Sequence, residues 1–236
     1  MNKTLEKSQS LKKHYKCEKC KDTGLVQVKN NTFRECECSI RERSKKQFKR
    51  TGLNLESSTQ TLESFKVWNV NSKVAKQAAI NYINNYSEIA HKRQNSIAFV
   101  GQVGSGKTHL SISLAQKLLE QGVRVVYMPY RDTITKIKQN MLDKEYYKME
   151  LNRYQNAEIL LIDDLFKGKI TESDINILFE IVNYRYLNYL PIIVSSEFGV
   201  SGLLNFDEAV GSRIYEMCKD YTVQIEKDLR NNYRLR

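Results

Sequence analysis

Two adjacent carboxylates, Asp163 and Asp164, close the apolar run in "ILLIDDLFKG" (residues 159–168). Burying one charge is costly and burying two side by side costs more, unless a cation or a reaction requires them. Upstream, "GQVGSGKT" (101–108) fits G-x-x-x-x-G-K-[ST] at every fixed position. Gly101, Gly104 and Gly106 allow the tight backbone whose N–H groups converge on phosphate oxygens. Lys107 supplies a point charge for the β- and γ-phosphates, and the Thr108 hydroxyl is a ligand for Mg²⁺. A helix beginning here adds its positive dipole end. The expected nucleotide-binding set is therefore Gly101, Gln102, Val103, Gly104, Ser105, Gly106, Lys107, Thr108 and His109, together with Asp163. Asp163 is placed to hold Mg²⁺ through water, and Asp164 to orient or deprotonate an attacking water. A hard divalent cation that prefers oxygen ligands offsets part of the paired negative charge. ATP and Mg²⁺ are the expected cofactors, and hydrolysis of ATP the expected reaction.

A second chemical group lies near the start. Cys17, Cys20, Cys36 and Cys38 form C-x₂-C, fifteen residues, then C-x-C. Four thiolates in two close pairs suit tetrahedral Zn²⁺. The second pair is tighter than the usual spacing, which leaves His14 as an alternative ligand. A basic segment with few aliphatics cannot easily build a core alone, and a metal would supply folding energy. The fifth cysteine, Cys218, reads as an ordinary buried thiol on a helix.

The elements that must position these groups alternate. "NSIAFVG" (95–101) reads as a buried strand, and 107–121 as a helix with Leu110, Leu114 and Leu118 on one face. Gly122 ends that helix. Further strands are expected at 123–130, 157–163, 190–196 and 221–225, and helices at 131–155, after an N-cap at Thr171, and at 207–218. Short apolar strands between helices imply an α/β fold, a P-loop domain with a five-stranded parallel sheet between helices. Its ligands gather at the carboxyl ends of the strands. The expected division is a basic zinc-binding segment at 1–50 and an ATPase domain at 51–236.

Charge supports that division. Residues 1–50 carry fifteen Lys/Arg against six Asp/Glu, leaving twenty-three against twenty-one for the remainder, so most of the formal +11 sits in the head. Polyanions are natural partners for such a head, and a solubilising arm is the alternative. "IRERSKKQFKR" (40–50) reads as a basic helix. In 131–155, Arg131, Lys136, Lys138, Lys144, Lys148 and Arg153 alternate with Tyr146, Tyr147 and Tyr154, a pattern that could track a nucleic-acid strand or belong to a solvated helix with inward tyrosines. No apolar run reaches the roughly 18 residues of a membrane span, and the N-terminus lacks an apolar signal core, so no membrane partner and a cytoplasmic address are expected.

The stretches "TLESFKVWN" (61–69), "IAFVGQVGSGKTHLSISLA" (97–115), "ILLIDDLF" (159–166), "NYRYLNYLPIIVSSE" (183–197) and "GSRIYEMC" (211–218) resemble, in order and spacing, the DnaC/DnaI-type helicase loaders of bacteria and phages. These form a branch of the AAA+ ATPases that also includes IstB-type transposition helpers. The resemblance implies ATP held between subunits of an ATP-dependent homo-oligomer, with an arginine from one subunit reaching the γ-phosphate in the next; "GSR" puts that role on Arg213. It puts the polar sensor of the fourth strand within "SSE", with Ser196 favoured over Glu197, and the second sensor arginine at Arg230 or Arg234. Most AAA+ proteins carry glutamate where Asp164 stands, and the shorter carboxylate implies slow hydrolysis, as in a switch. The implied partners are single-stranded DNA and a hexameric, DnaB-like replicative helicase held by the N-terminal segment. Rival readings are an IstB-like regulator of a transposase, a P-loop kinase of a small metabolite, and a zinc-containing DNA-binding protein that has lost hydrolysis.

Overall fold

The structure is a computed structural model and describes residues 14–50, 53 and 58–236. Its centre is the expected parallel sheet. β3 (Ile97–Gly101), β4 (Val125–Pro129), β5 (Ile159–Leu165), β6 (Ile192–Ser196) and β7 (Thr222–Ile225) lie in the order β4-β5-β6-β3-β7, and every neighbouring pair is parallel. Burial on both faces explains why these strands read as continuous apolar runs rather than alternating ones. α1 (Glu37–Arg50), α2 (Val70–Ile89) and α3 (Lys107–Glu120) cover one face. α4 (Tyr130–Gln139), α5 (Lys144–Gln155), α6 (Glu172–Leu187), α7 (Val200–Phe206) and α8 (Glu208–Cys218) cover the other.

The order sets the site. The chain leaves β3 at Gly101 and enters α3 at Lys107, while the acid pair lies near the carboxyl end of β5. β6 runs between these two strands and bridges them. The pairing of β5 with β6 slips between Ile162 and Leu165. Asp164 sits in that irregularity with φ +54°, so the second aspartate turns out of the strand that buries the first.

Several elements depart from the expectation. The helix expected over 131–155 is two helices. Asn140 caps the end of α4, and the Asp143 side chain accepts from the Tyr146 backbone N–H at 3.0 Å to begin α5. α2 was not read from the sequence. Its N-cap Asn69 accepts from Ser72 N at 2.8 Å, and the Ser72 hydroxyl faces back toward the cap, a box built with serine where Glu or Gln is the usual signal. In the head, β1 (Leu25–Lys29) and β2 (Thr32–Glu35) form an antiparallel hairpin, and α1 spans the basic run expected to be helical.

Of the tyrosines in 131–155, Tyr154 is buried, and Tyr147 packs on the core and donates to Glu180 Oε1 at 2.7 Å. Those two rings face inward. Cys218 is fully buried in the core, where burial pushes its thiol up. No helix among the described residues is long and apolar enough to cross a membrane.

Arg185 on α6 is fully buried and donates to five backbone carbonyls. Nη1 reaches Tyr154, Gln155 and Ala157 at 2.9, 3.0 and 2.7 Å, and Nη2 reaches Glu158 and Pro191 at 3.4 and 2.5 Å. Burial pulls its pKa down to about 9. This one side chain ties the entries of β5 and β6 together and so sets the strands that carry the acid pair and its partners. Arg185→Met is expected to cost about 3 kcal/mol or more, because the freed carbonyls stay buried. Urea unfolding should show a lower midpoint at unchanged slope.

Candidate nucleotide site and cysteine cluster

The loop between β3 and α3 is wound so tightly that two of its glycines are required. At Gly104 (φ +73°) a Cβ would lie 2.0 Å from Asn232 Oδ1, and at Gly106 (φ +86°) it would lie 2.6 Å from the Phe65 ring. The loop is thus walled on one side by the C-terminal tail and on another by the segment before α2. Tyr233 N also donates to the Gly104 carbonyl at 3.0 Å. Lys107 folds over the loop, with Nζ 2.8 Å from the Gly101 carbonyl and 2.6 Å from that of Gln102. Burial holds its pKa down to about 8.

Asp163 is buried and collects three hydroxyl donors. Thr108 Oγ1 donates to Oδ1 at 3.0 Å, Tyr127 OH donates to Oδ2 at 3.1 Å, and Ser195 Oγ also donates to Oδ1. Burial still raises its pKa from the ordinary carboxylate value, against the pull of these bonds. A threonine hydroxyl and a carboxylate in contact form an all-oxygen donor set that suits Mg²⁺. The Asp164 backbone N–H donates to Ser195 Oγ at 2.9 Å, so one serine fixes both aspartates. The Asp164 side chain is only partly buried, and its Oδ2 meets Lys167 Nζ at 2.6 Å.

Between the loop and the acid pair lies a cleft of about 410 Å³. That volume lies in the range that holds a nucleotide-sized ligand. Val103 to His109, Asp164, Lys167 and Glu197 line it, and Phe65, Trp68, Tyr233 and Arg234 complete the lining. Trp68 lies 5.7 Å from Phe65 and 5.0 Å from Tyr233 between ring centroids, an aromatic wall for a flat base. Trp68 Nε1 is buried with no hydrogen-bond partner. His109 lies at the cleft, its Nε2 paired with the Thr61 carbonyl at 2.9 Å and its ring edge-on to Phe65.

The structure sorts the remaining expected site residues. Ser196 is not at the cleft. Its hydroxyl is fully buried, donating to the Leu165 carbonyl at 2.8 Å and accepting from Phe198 N at 3.2 Å. Neighbouring residues of a strand face opposite ways, so Ser195 meets the acid pair, Ser196 turns into the core, and Glu197 lines the cleft. Of the two tail arginines, Arg230 is exposed and pairs with Asp228 at 2.6 Å, whereas Arg234 lines the cleft. Arg213 lies outside its own chain's cleft. On α8 it donates to Asn183 Oδ1 at 3.0 Å and to the Ala209 carbonyl at 2.7 Å, over the rings of Phe179 and Tyr186. The base-side wall and Ser195 were missed from the sequence; a lone tryptophan in a polar segment before a helix was the available signal.

In the head, the sulfur atoms of Cys17, Cys20, Cys36 and Cys38 lie within 4.8 Å of one another. Cys17 and Cys36 are 3.8 Å apart, and Cys20 and Cys38 are 3.4 Å apart. A tetrahedron with metal–sulfur bonds of about 2.3 Å has edges of roughly 3.8 Å, so the group fits Zn²⁺. Cys36 stands just before α1 and Cys38 in its first turn, which lets the short C-x-C spacing close. The Asp22 carboxylate accepts from Lys16 N and Cys17 N at 3.1 and 2.9 Å and shapes the first knuckle. The Cys20 backbone amide holds the Cys17 thiol down to about 7, while hydrogen bonding to Cys20 pushes Cys38 up; four thiols this close cannot all ionise without a cation. His14 is exposed and lies outside the group.

The profile of the IstB-like ATP binding protein family matches residues 26–214. The phage-like element PBSX protein XkdC of Bacillus subtilis (strain 168) is 36% identical over 223 residues, 90% of this chain and 83% of that protein. Among solved structures, the DnaC helicase loader superposes with a TM-score of 0.63 at 23% identity, over 72% of this chain and 99% of that one, a likeness of fold. The replication initiator DnaA bound to AMPPCP and single-stranded DNA gives 0.61 at 26% identity, over 75% of this chain and 53% of that one. The fold is that of a P-loop AAA+ domain.

Because Trp68 is the chain's single tryptophan, it reports on this cleft alone. Adding Mg·ATP is expected to change its emission saturably, and Lys107→Ala to abolish the change at the same concentrations. A Lys107→Ala titration identical to that of the unaltered protein would show that the ligand binds elsewhere.

Proposed function

The chain belongs to the IstB-like ATP binding protein family, and on that footing we propose that it is an ATP-dependent loader of a hexameric replicative helicase onto single-stranded DNA. The observation that carries this reading is the contact of Thr108 with Asp163 beside Lys107, with Asp164 turned into the same cleft. Lys107 and the loop N–H groups take the phosphates. Thr108 and Asp163 hold Mg²⁺, which when bound neutralises charge on the β- and γ-phosphate oxygens. Asp164 orients the attacking water and accepts its proton. Phe65, Trp68 and Tyr233 receive the base, and Glu197 and Arg234 face the phosphate end.

Arg213, held outside its own cleft, is offered to a neighbouring copy, so that nucleotide assembles subunits. Aspartate in place of glutamate makes hydrolysis slow, which suits a release step. Zn²⁺ held by Cys17, Cys20, Cys36 and Cys38 organises the basic head, residues 1–50, which grips the helicase, while residues 51–236 form the ATPase domain. The folds of the DnaC helicase loader and of DnaA with single-stranded DNA support the replication reading. Two insertion-sequence ATP-binding proteins among its relatives, 25% identical over 61% of this chain and 28% over 52%, favour a second reading, an ATPase that regulates a transposase on duplex DNA.

Two experiments decide. With ATP or a non-hydrolysable analogue, the protein should capture a ring helicase, and ATP turnover should release it onto single-stranded DNA; Lys107→Ala, which takes no nucleotide, should do neither, and Asp164→Asn should capture without release. Capture of a transposase and stimulation by duplex DNA alone would favour the second reading. For the head, metal analysis should find about one zinc per chain, lost in Cys17→Ser/Cys20→Ser. Equal zinc in both proteins would reject the assignment.

A further inference from the structure

The turn after the acid pair carries a lysine to which the proposed reaction assigns no part. Asp164, Phe166 and Gly168 all have positive φ (54°, 63° and 90°), in the left-handed region, and Lys167 N donates to the Asp164 carbonyl at 3.0 Å, which closes a β-turn over 164–167. Two non-glycine residues in that region are strained and persist because their surroundings hold them. Phe166 is the anchor. It is fully buried, with ring centroids 5.8 Å from Tyr130 and 4.6 Å from Phe206. The turn therefore presents Lys167 to the cleft in a set position. Its Nζ lies 2.6 Å from Asp164 Oδ2 and 3.6 Å from Glu197 Oε1, and all three residues line the cleft with Lys107.

We propose that Lys167 is a positioning residue that restrains Asp164, and that hydrolysis waits for this ion pair to open. The inference rests on the ATPase reading, in which Asp164 acts on the water. A general base must be within hydrogen-bond reach of the proton it takes. A carboxylate oxygen already bonded to an ammonium has a lone pair committed to that donor rather than to the water. Glu197 offers the ammonium a second seat, so Lys167 can leave Asp164 without leaving the cleft. The side chains of Lys167 and Asp164 are 49% and 33% exposed, so the pair is a weak restraint that can open, not a permanent lock. Asp164 also raises the Lys167 pKa, which keeps the ammonium charged.

The test is steady-state phosphate release by the full chain. Lys167→Met keeps the length of the side chain and removes its charge. It should raise kcat by about fivefold, the ceiling set by an exposed ion pair, with KM for ATP unchanged within about twofold. Lys167→Arg, which keeps a cation, should bring the rate back down. In an Asp164→Asn background, Lys167→Met should give no gain, because the group it frees is gone. An unchanged or slower Lys167→Met protein, with Asp164→Asn inactive, overturns the restraint and leaves the role of Asp164 standing. Turnover of Asp164→Asn at the unaltered rate overturns both.

Discussion

The buried carboxylate of Asp163 is the constraint around which the nucleotide site is arranged. Removing such a charge from water costs several kcal/mol, and hydrogen bonds to a charged group return about 1.5–3 kcal/mol each. Three donors are therefore of the size needed to keep Asp163 in place, and they come from three elements: Thr108 from α3, Tyr127 from β4 and Ser195 from β6. Meeting the needs of one oxygen pair fixes how the phosphate loop, the edge strand and the bridging strand sit relative to one another. Arg185 enforces the same arrangement from the opposite ends of β5 and β6.

What could be read from the sequence is what is encoded by neighbours in the chain. The phosphate loop is a contiguous pattern, the five strands are contiguous apolar runs, and the cysteine pairs carry their own spacing. What escaped is set by contacts between distant segments. No local pattern says that Trp68 will lie against Tyr233, or that Asn232 will fill the space beside Gly104. The Ser195–Ser196–Glu197 step failed for a different reason. A strand's faces alternate, so an uncertainty of one residue moves a hydroxyl from the acid pair to the core. The break at 140–143 was legible in principle through Asp143, whose cap lay inside a stretch polar enough to pass for one long helix.

The cysteine cluster and the nucleotide site share one piece of rigid structure. α1 begins next to Cys36, carries Cys38 in its first turn, and packs on the parallel sheet through Phe48. Phe48 near its end is fully buried and stacks on Tyr127, with centroids 5.3 Å apart and planes 13° from parallel. Tyr127 in turn donates to Asp163. The head is therefore seated on the ring that holds the Asp163 carboxylate. An aromatic pair contributes about 0.5–1.5 kcal/mol beyond its buried area. A displacement of α1 would move the ring that donates to Asp163, so the two sites share one mechanical contact.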